Sequence, residues 1–260
     1  MARNEGTAWR GCPVTTEEWE AMTLLMGQAL ISAQLAAPMG QPYSLTVLNE
    51  NAKFQQFALF QTIPDIIGPS IDPVSLAWMI GGAASGSPDN PSTSQFKWTI
   101  DYAVTAGYIQ NLGTTLNPRS FQTASKVDVL INDHNAVNVT YQGPFPNGAP
   151  GFPTNPTSGT PGLILAQADN TIPSTVQQAS LQMSVNVGIA MAGRAAVAVQ
   201  LEPNLLYQFT PKPKYYIIAG SFIQGQVIDT AISSSAFEVA FAGVTDIQVR
   251  FTQQNQFVEA

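Results

Sequence analysis

The sequence predicts a mainly β protein: an antiparallel β-sandwich or jelly-roll-like single domain carrying an N-terminal helical extension. Three observations carry that reading. From Tyr43 onward apolar and polar residues alternate with a period of two, clusters of Gly, Asn, Asp and Pro punctuate the alternating runs, and helical spacing is confined to the stretch before Pro38. At 260 residues the chain fits one large sandwich, since such folds often run to roughly 200–250 residues as one unit.

Residues 1–14 read as irregular. Thr15 and Glu18 then have capping-box spacing, and the acids Glu17, Glu18 and Glu20 suit the start of a helix. A helix is expected over about residues 15–37, stopped by Pro38, Gly40 and Pro42. Trp19, Met22, Met26, Ala29 and Ala33 step by three or four, while Leu24, Leu25, Ile31 and Leu35 occupy much of the remaining circumference. An isolated helix of this length is marginal in water, so its apolar surface needs cover. Residues 1–40 are therefore read as an arm docked on a neighbouring copy, with Trp19, Leu24, Leu25, Leu30 and Leu35 as its contact residues.

Residues 41–260 are read as the sandwich domain. The clearest strand is Gln95 to Val104, where Phe96, Trp98, Ile100, Tyr102 and Val104 share a face. Similar alternation marks Val127/Val129/Ile131, Val137/Val139/Tyr141, Leu181/Met183/Val185/Val187, Val197/Val199/Leu201, Phe237/Val239/Phe241 and Ile247/Val249/Phe251. Hairpin turns are expected at 132–135, 192–194 and 242–245, and long surface loops at 81–94 and 143–162, the second carrying six prolines. The run Ala195-Ala196-Val197-Ala198-Val199 puts small residues opposite the core, a face suited to close contact with another chain.

Charge is scarce. Asp, Glu, Lys and Arg supply 10% of residues, against about 25% in an average globular protein, while 45% are hydrophobic. Disorder of the bulk of the chain is excluded on that composition. The net charge is -7 and the basic residues are scattered, so nucleic acid and anionic membrane surfaces are poor partners. No apolar stretch reads as a membrane span or signal peptide; the expected location is cytoplasmic, with export by a non-classical route open. The one cysteine, Cys12, excludes an internal disulfide.

No catalytic, cofactor or metal constellation emerges. The one histidine, His134, sits in Asn132-Asp133-His134-Asn135, a run of turn-forming residue types. Acid-bearing loops at Asp65 to Asp72 and at Asp89-Asn90 lack a calcium-loop pattern. The Gly81 to Gly86 run has neither a phosphate-loop lysine nor a nucleophile elbow, and Asn138-Val139-Thr140 lies inside an expected strand. Trp78, Tyr108 and Tyr215 remain as aromatics that a sugar ring would stack on. Trp98 and Tyr102 are assigned to the core.

The segments Phe57-Ala58-Leu59-Phe60-Gln61-Thr62, Ser75-Leu76-Ala77-Trp78, Phe96-Lys97-Trp98-Thr99-Ile100-Asp101-Tyr102, Phe209-Thr210-Pro211-Lys212-Pro213-Lys214-Tyr215-Tyr216 and Gly225-Gln226-Val227-Ile228-Asp229 together resemble the rhizosphere-induced protein RhiA family. The resemblance spans most of Tyr43 to Phe251. It implies a bacterial protein linked to life among other cells or hosts, and it brings no catalytic residues. The expected function is non-enzymatic self-association through the arm and low-charge β surfaces. The alternative is a carbohydrate-binding, lectin-like module, whose partners would be glycans.

Overall fold

Alternation becomes strand where one face can be covered, and most of the expected runs do so. The computed structural model describes residues 40–68, 73–110, 117–229 and 233–260. The arm helix expected at about 15–37, with Trp19, Leu24, Leu25, Leu30 and Leu35, lies outside the described residues, as does Cys12. Within them the protein is mainly β, in four sheets that are chiefly antiparallel.

One four-stranded sheet runs in the order β19 (Phe257–Glu259), β18 (Asp246–Phe251), β1 (Pro42–Asn49), β6 (Ser92–Thr99). Another runs β17 (Phe237–Val239), β15 (Tyr215–Ala219), β2 (Gln55–Gln61), β5 (Met79–Ala83). Leu45, Val47, Phe96, Trp98, Val249 and Phe251 from the first meet Phe57, Leu59, Tyr215 and Ile217 from the second in a shared core. Trp98 is 4% exposed, as its place in the alternation requires. Its indole Nε1 and the Tyr215 hydroxyl nevertheless lie buried without a partner in hydrogen-bonding geometry. An unpaired buried polar group costs about 1–3 kcal/mol.

A six-stranded sheet runs β16 (Val227–Ile228), β4 (Val74–Leu76), β13 (Arg194–Gln200), β12 (Met183–Met191), β7 (Tyr102–Gln110), β8 (Phe121–Val129). A five-stranded sheet runs β10 (Ala149–Gly151), β9 (Ala136–Gln142), β11 (Ile164–Ala168), β14 (Leu206–Thr210), β3 (Asp65–Ile67). Val104, Val185, Val187, Ile189 and Val199 of the former pack on Val137, Val139, Ile164, Tyr207 and Phe209 of the latter.

The six-stranded sheet closes on itself at one end. Phe121 N–H donates to the Gly225 carbonyl (2.8 Å) and Val227 N–H to that of Arg119 (2.8 Å), joining the start of β8 to β16. A ring of so few strands has a narrow interior that only small or few side chains can fill. Ala190, Ala195 and Ala198 therefore line its inner face with Leu76, Ile109, Phe121 and Val227. Inside, Thr105 donates to the Gly188 carbonyl (3.3 Å), and the Asn186 amide bridges Ser184 and the Gln200 N–H. Close backbone approach requires glycine beside the sheet's two register shifts. A Cβ at Gly188 would stand 1.9 Å from the Val197 carbonyl oxygen, and one at Gly107 2.0 Å from that of Gln122. The small-residue run 195–199 is thus buried by ring closure, which overturns its expected role as an outer contact face.

Several local expectations are corrected. The run Gln95 to Val104 is two strands: the chain turns at Ile100–Asp101 and passes from β6 in one sheet to β7 in another, with the Asp101 carboxylate accepting from the Ala192 N–H (2.7 Å). Residues 132–135 and 242–245 are crossovers between sheets, because β8 and β9, like β17 and β18, belong to different sheets. The 192–194 turn is a hairpin between β12 and β13, with Ala192 (φ 47°) and Gly193 (φ 70°) both left-handed. Of the expected loop 81–94, only the stretch between β5 and β6 is loop. That at 143–162 contains β10, paired to β9. Two pairings are parallel, β1 with β18 and β9 with β11. A short helix, α1 (Thr175–Ser180), precedes β12 and takes up Leu181 as its C-cap; its capping box of Ser174 and Gln177 repeats the spacing that drew attention to Thr15.

Three substitutions test these face assignments by urea denaturation. Trp98→Ala is expected to cost about 3–5 kcal/mol, whereas Lys97→Ala, one residue along the same strand and exposed, stays within about 0.5 kcal/mol. Ala198→Leu is expected to lose about 1–3 kcal/mol by overpacking the ring. No loss there would mean that the interior of the six-stranded sheet is open.

Candidate association surface

The five-stranded sheet buries one face, and among the described residues no second sheet covers the other. Strict alternation makes the division: Val137, Val139 and Tyr141 of β9, Ile164, Ala166 and Ala168 of β11, and Tyr207 and Phe209 of β14 all point into the core. Their neighbours point out. Register aligns them in rows across the strands, Ala136–Leu165–Gln208–Ile67 in one and Asn138–Gln167–Leu206 in the next. Ile67 is 66% exposed and Leu206 47% exposed; the rest of the two rows is the amides Asn138, Gln167 and Gln208 with half-buried Ala136 and Leu165.

No member of these rows carries a charge. The acids that rim them are held by local partners. At one edge Asp65 pairs with Lys212 (3.3 Å). At the other end the Asp169 carboxylate accepts from the Thr171 N–H (2.9 Å) and hydroxyl (2.5 Å). Burial acts to raise the Asp169 pKa, and the hydrogen bonds from Thr171 and Thr140 outweigh it, so the carboxyl lies below its ordinary range. Both edge strands, β3 and β10, are three residues long, and β10 contains Pro150, so the sheet resists growth at its edges.

The sheet is a rigid platform because its loops are tied by side-chain amides. Fully buried Asn135 shares its two amide hydrogens among the carbonyls of Ile131, Thr160 and Leu163 and accepts from the Gly159 N–H, fastening the 143–162 segment to the corner before β9. Tyr108 and Tyr141 both donate to the Gly148 carbonyl, at 2.6 and 3.0 Å. Burial, with the Tyr141 hydrogen bond, pushes the Tyr108 phenol pKa up. Burial raises that of Tyr207 to about 12, and its hydroxyl accepts from the Glu202 N–H.

The aromatics expected to face a ligand form no surface site: Trp78 and Tyr215 stack on each other inside the core (6.0 Å, 24°), away from Tyr108. Trp78 and Tyr215 are core residues and Tyr108 is half-buried with its hydroxyl engaged, because each fills space between packed sheets. His134 is exposed at the 132–135 corner with φ 36°, its Nδ1 2.9 Å from Asp133. Asp133 also accepts from the Ser158 hydroxyl, which with the His134 N–H lowers the Asp133 pKa. The serine thus donates to the carboxylate and not to the imidazole, an order in which the histidine has no serine proton to take. Among the described residues no three His, Cys, Asp or Glu side chains converge as a metal site, and no helix is long and apolar enough to cross a membrane. Ile67 and Leu206 were missed by sequence reasoning; an exposed apolar residue carries no signal until its sheet neighbours are known.

Comparison with known proteins adds a family likeness. The RhiA family model matches residues 40–259. Protein RhiA of Rhizobium leguminosarum bv. viciae is 28% identical over 214 residues, covering 81% of each chain. No solved structure matches.

A carboxyl held below its ordinary value contributes stability that is present above the unfolded pKa of about 4. That contribution is lost as pH falls through the lower folded value. Replacing Thr171 with Val is expected to raise the Asp169 pKa in a carboxyl NMR titration; an unchanged value would show that Thr171 is not its main donor.

Proposed function

Since the chain belongs to the RhiA family, and since its exposed sheet face lacks charge, we propose that it acts without catalysis, by associating with copies of itself. The charge-free rows of the five-stranded sheet carry this reading. Copies of a chain with net charge -7 repel one another. A contact made where no ion must be stripped of water avoids the heaviest desolvation cost. Sheets pack face to face about 10 Å apart when their side chains are small and neutral enough to interdigitate. Ile67 and Leu206 then supply the apolar part of the contact beside the β3 edge, with the amides of the same rows further in.

Area decides whether this face suffices. Five strands about 4.8 Å apart, each presenting about five residues at 3.3 Å, project roughly 400 Å². A stable interface buries about 800 Å² per partner, so a second contact is required. The arm, residues 1–40, supplies it in this reading, laying Trp19, Leu24, Leu25, Leu30 and Leu35 on the neighbouring copy. Each fully buried leucine contributes roughly 1.5–3 kcal/mol, enough in sum to offset the cost of ordering a helix.

Light scattering on three proteins tests the proposal: full length, a chain beginning at Gln41, and Ile67→Asp/Leu206→Asp. Full length is expected to be oligomeric and each of the others to have a lower mass, with circular dichroism unchanged for the double variant. A monomeric full-length protein sinks the proposal. So does retention of the full mass by both altered proteins.

A further inference from the structure

We infer a further contact between copies, which rests on the self-association proposed above: the free edge of β8 pairs antiparallel with the same edge of another copy, about a two-fold axis at Val127. β8 is the last strand of its sheet, and only its start is tied to β16. From Gln122 to Val129, among the described residues, its main chain bonds to β7 alone. In an antiparallel ladder alternate residues turn N–H and C=O away from the neighbouring strand. This side of β8 is therefore an unfilled template for another strand.

Space for the added strand is present. An open volume of about 490 Å³ lies beside Ser125, Lys126 and Val127, with Phe152 to Asn155 also on its lining. Neighbouring residues of a strand point to opposite faces, so three in succession line one space together along the strand's edge. Val127 and Phe152 both pack against the core, which gives that edge an apolar floor. The register shift opposite Ala106 and Gly107 lies before Ser125, and residues 125–129 beyond it pair one for one with β7.

Charge decides the partner. Lys126 and Asp128 are exposed on one face of β8, Nζ to Oδ1 3.1 Å apart. A lysine on a strand edge ordinarily deters pairing. In an antiparallel pair centred on Val127, however, residue 126 of each copy stands opposite residue 128 of the other. Each lysine then meets a second carboxylate and each carboxylate a second lysine. Opposite charges in such cross-strand positions favour the ladder, and like charges oppose it. The run Lys126-Val127-Asp128 is thus complementary to itself read backwards, so a second copy fits where a strand of another charge order would not. Ser125 faces Val129 in this register, and the two Val127 side chains meet at the apolar floor. Five residue pairs bury too little to hold two copies alone, so this contact supplements the sheet face and does not replace it.

Disulfide trapping in the full-length protein tests the register. In a Cys12→Ser background, Val127→Cys is expected to form a 127–127 disulfide under mild oxidation. Residues directly opposite have Cα atoms about 4.5–5.5 Å apart, a separation that a disulfide spans. Ser125→Cys in the same background is the control: its two copies would stand roughly 13 Å apart along the strands and are expected not to bridge. Added to Val127→Cys, Lys126→Asp and Asp128→Lys are each expected to cut trapping about tenfold. An equal mixture of the two, or the double exchange in one chain, is expected to restore it, with circular dichroism confirming each fold. Absence of the 127–127 disulfide in a full-length protein that light scattering shows to be oligomeric overturns this contact and leaves self-association standing. Equal trapping by Ser125→Cys, or trapping indifferent to the single charge exchanges, overturns it as well, whereas a monomeric full-length protein ends both.

Discussion

The crossing of the chain at Trp78 is the constraint on which the remaining architecture depends. β4 belongs to the closing six-stranded sheet and β5 to a four-stranded one, and residues 77–78 alone separate them. Trp78 N–H donates to the Leu59 carbonyl in β2, and its indole Nε1 to the Met191 carbonyl at the end of β12, both at 2.9 Å. Ala77 bonds Gln226 and Gly225 on the other side. One fully buried side chain thus ties the two cores together, and a smaller residue would leave both a void and an unpaired carbonyl at their junction.

Poverty of charge shapes the rest. Where another protein would tie loops with ion pairs, this one uses buried amides, which hold several backbone groups at once and need no counter-ion. Gln178 donates to the Pro173 and Leu201 carbonyls and accepts from Val185 N–H, locking α1 against β12. Asn49 gathers the 49–53 turn and the Ala84 carbonyl in the same way. The buried acid Glu50 is the exception, and it is paired with Arg250. In the association proposed above, a surface of amides with few ions spares the sheet face the heavier cost of desolvating charge.

Ring closure and surface chemistry are linked. Because the six-stranded sheet turns its small residues inward, the strands that look most suited to close contact are used up within the molecule. The five-stranded sheet, stacked on the outside of the ring, is left with the free face. The aromatic cluster of the other core likewise spends Trp78 and Tyr215 on packing and presents Tyr43 at the rim.

Sequence alone determined that the chain from Tyr43 is built of strands, which residues of most strands turn inward, and that charge would be scarce outside, because side-chain period and composition are local properties. Trp98, Val139 and Val249 are buried as their alternation requires. Pairing and closure were decided only in three dimensions. Alternation names a residue's face and not its partner strand, so the break at Ile100–Asp101 was invisible where the pattern ran through it unchanged. Small residues at 195–199 suit a narrow interior and a tight interface equally well, and only the hydrogen bonds that join Phe121 to Gly225 and Arg119 to Val227, far apart in sequence, distinguish the two. Ile67 and Leu206 become a surface for the same reason: register across β3, β14 and β11 sets them on one face, and no local pattern encodes register between distant strands.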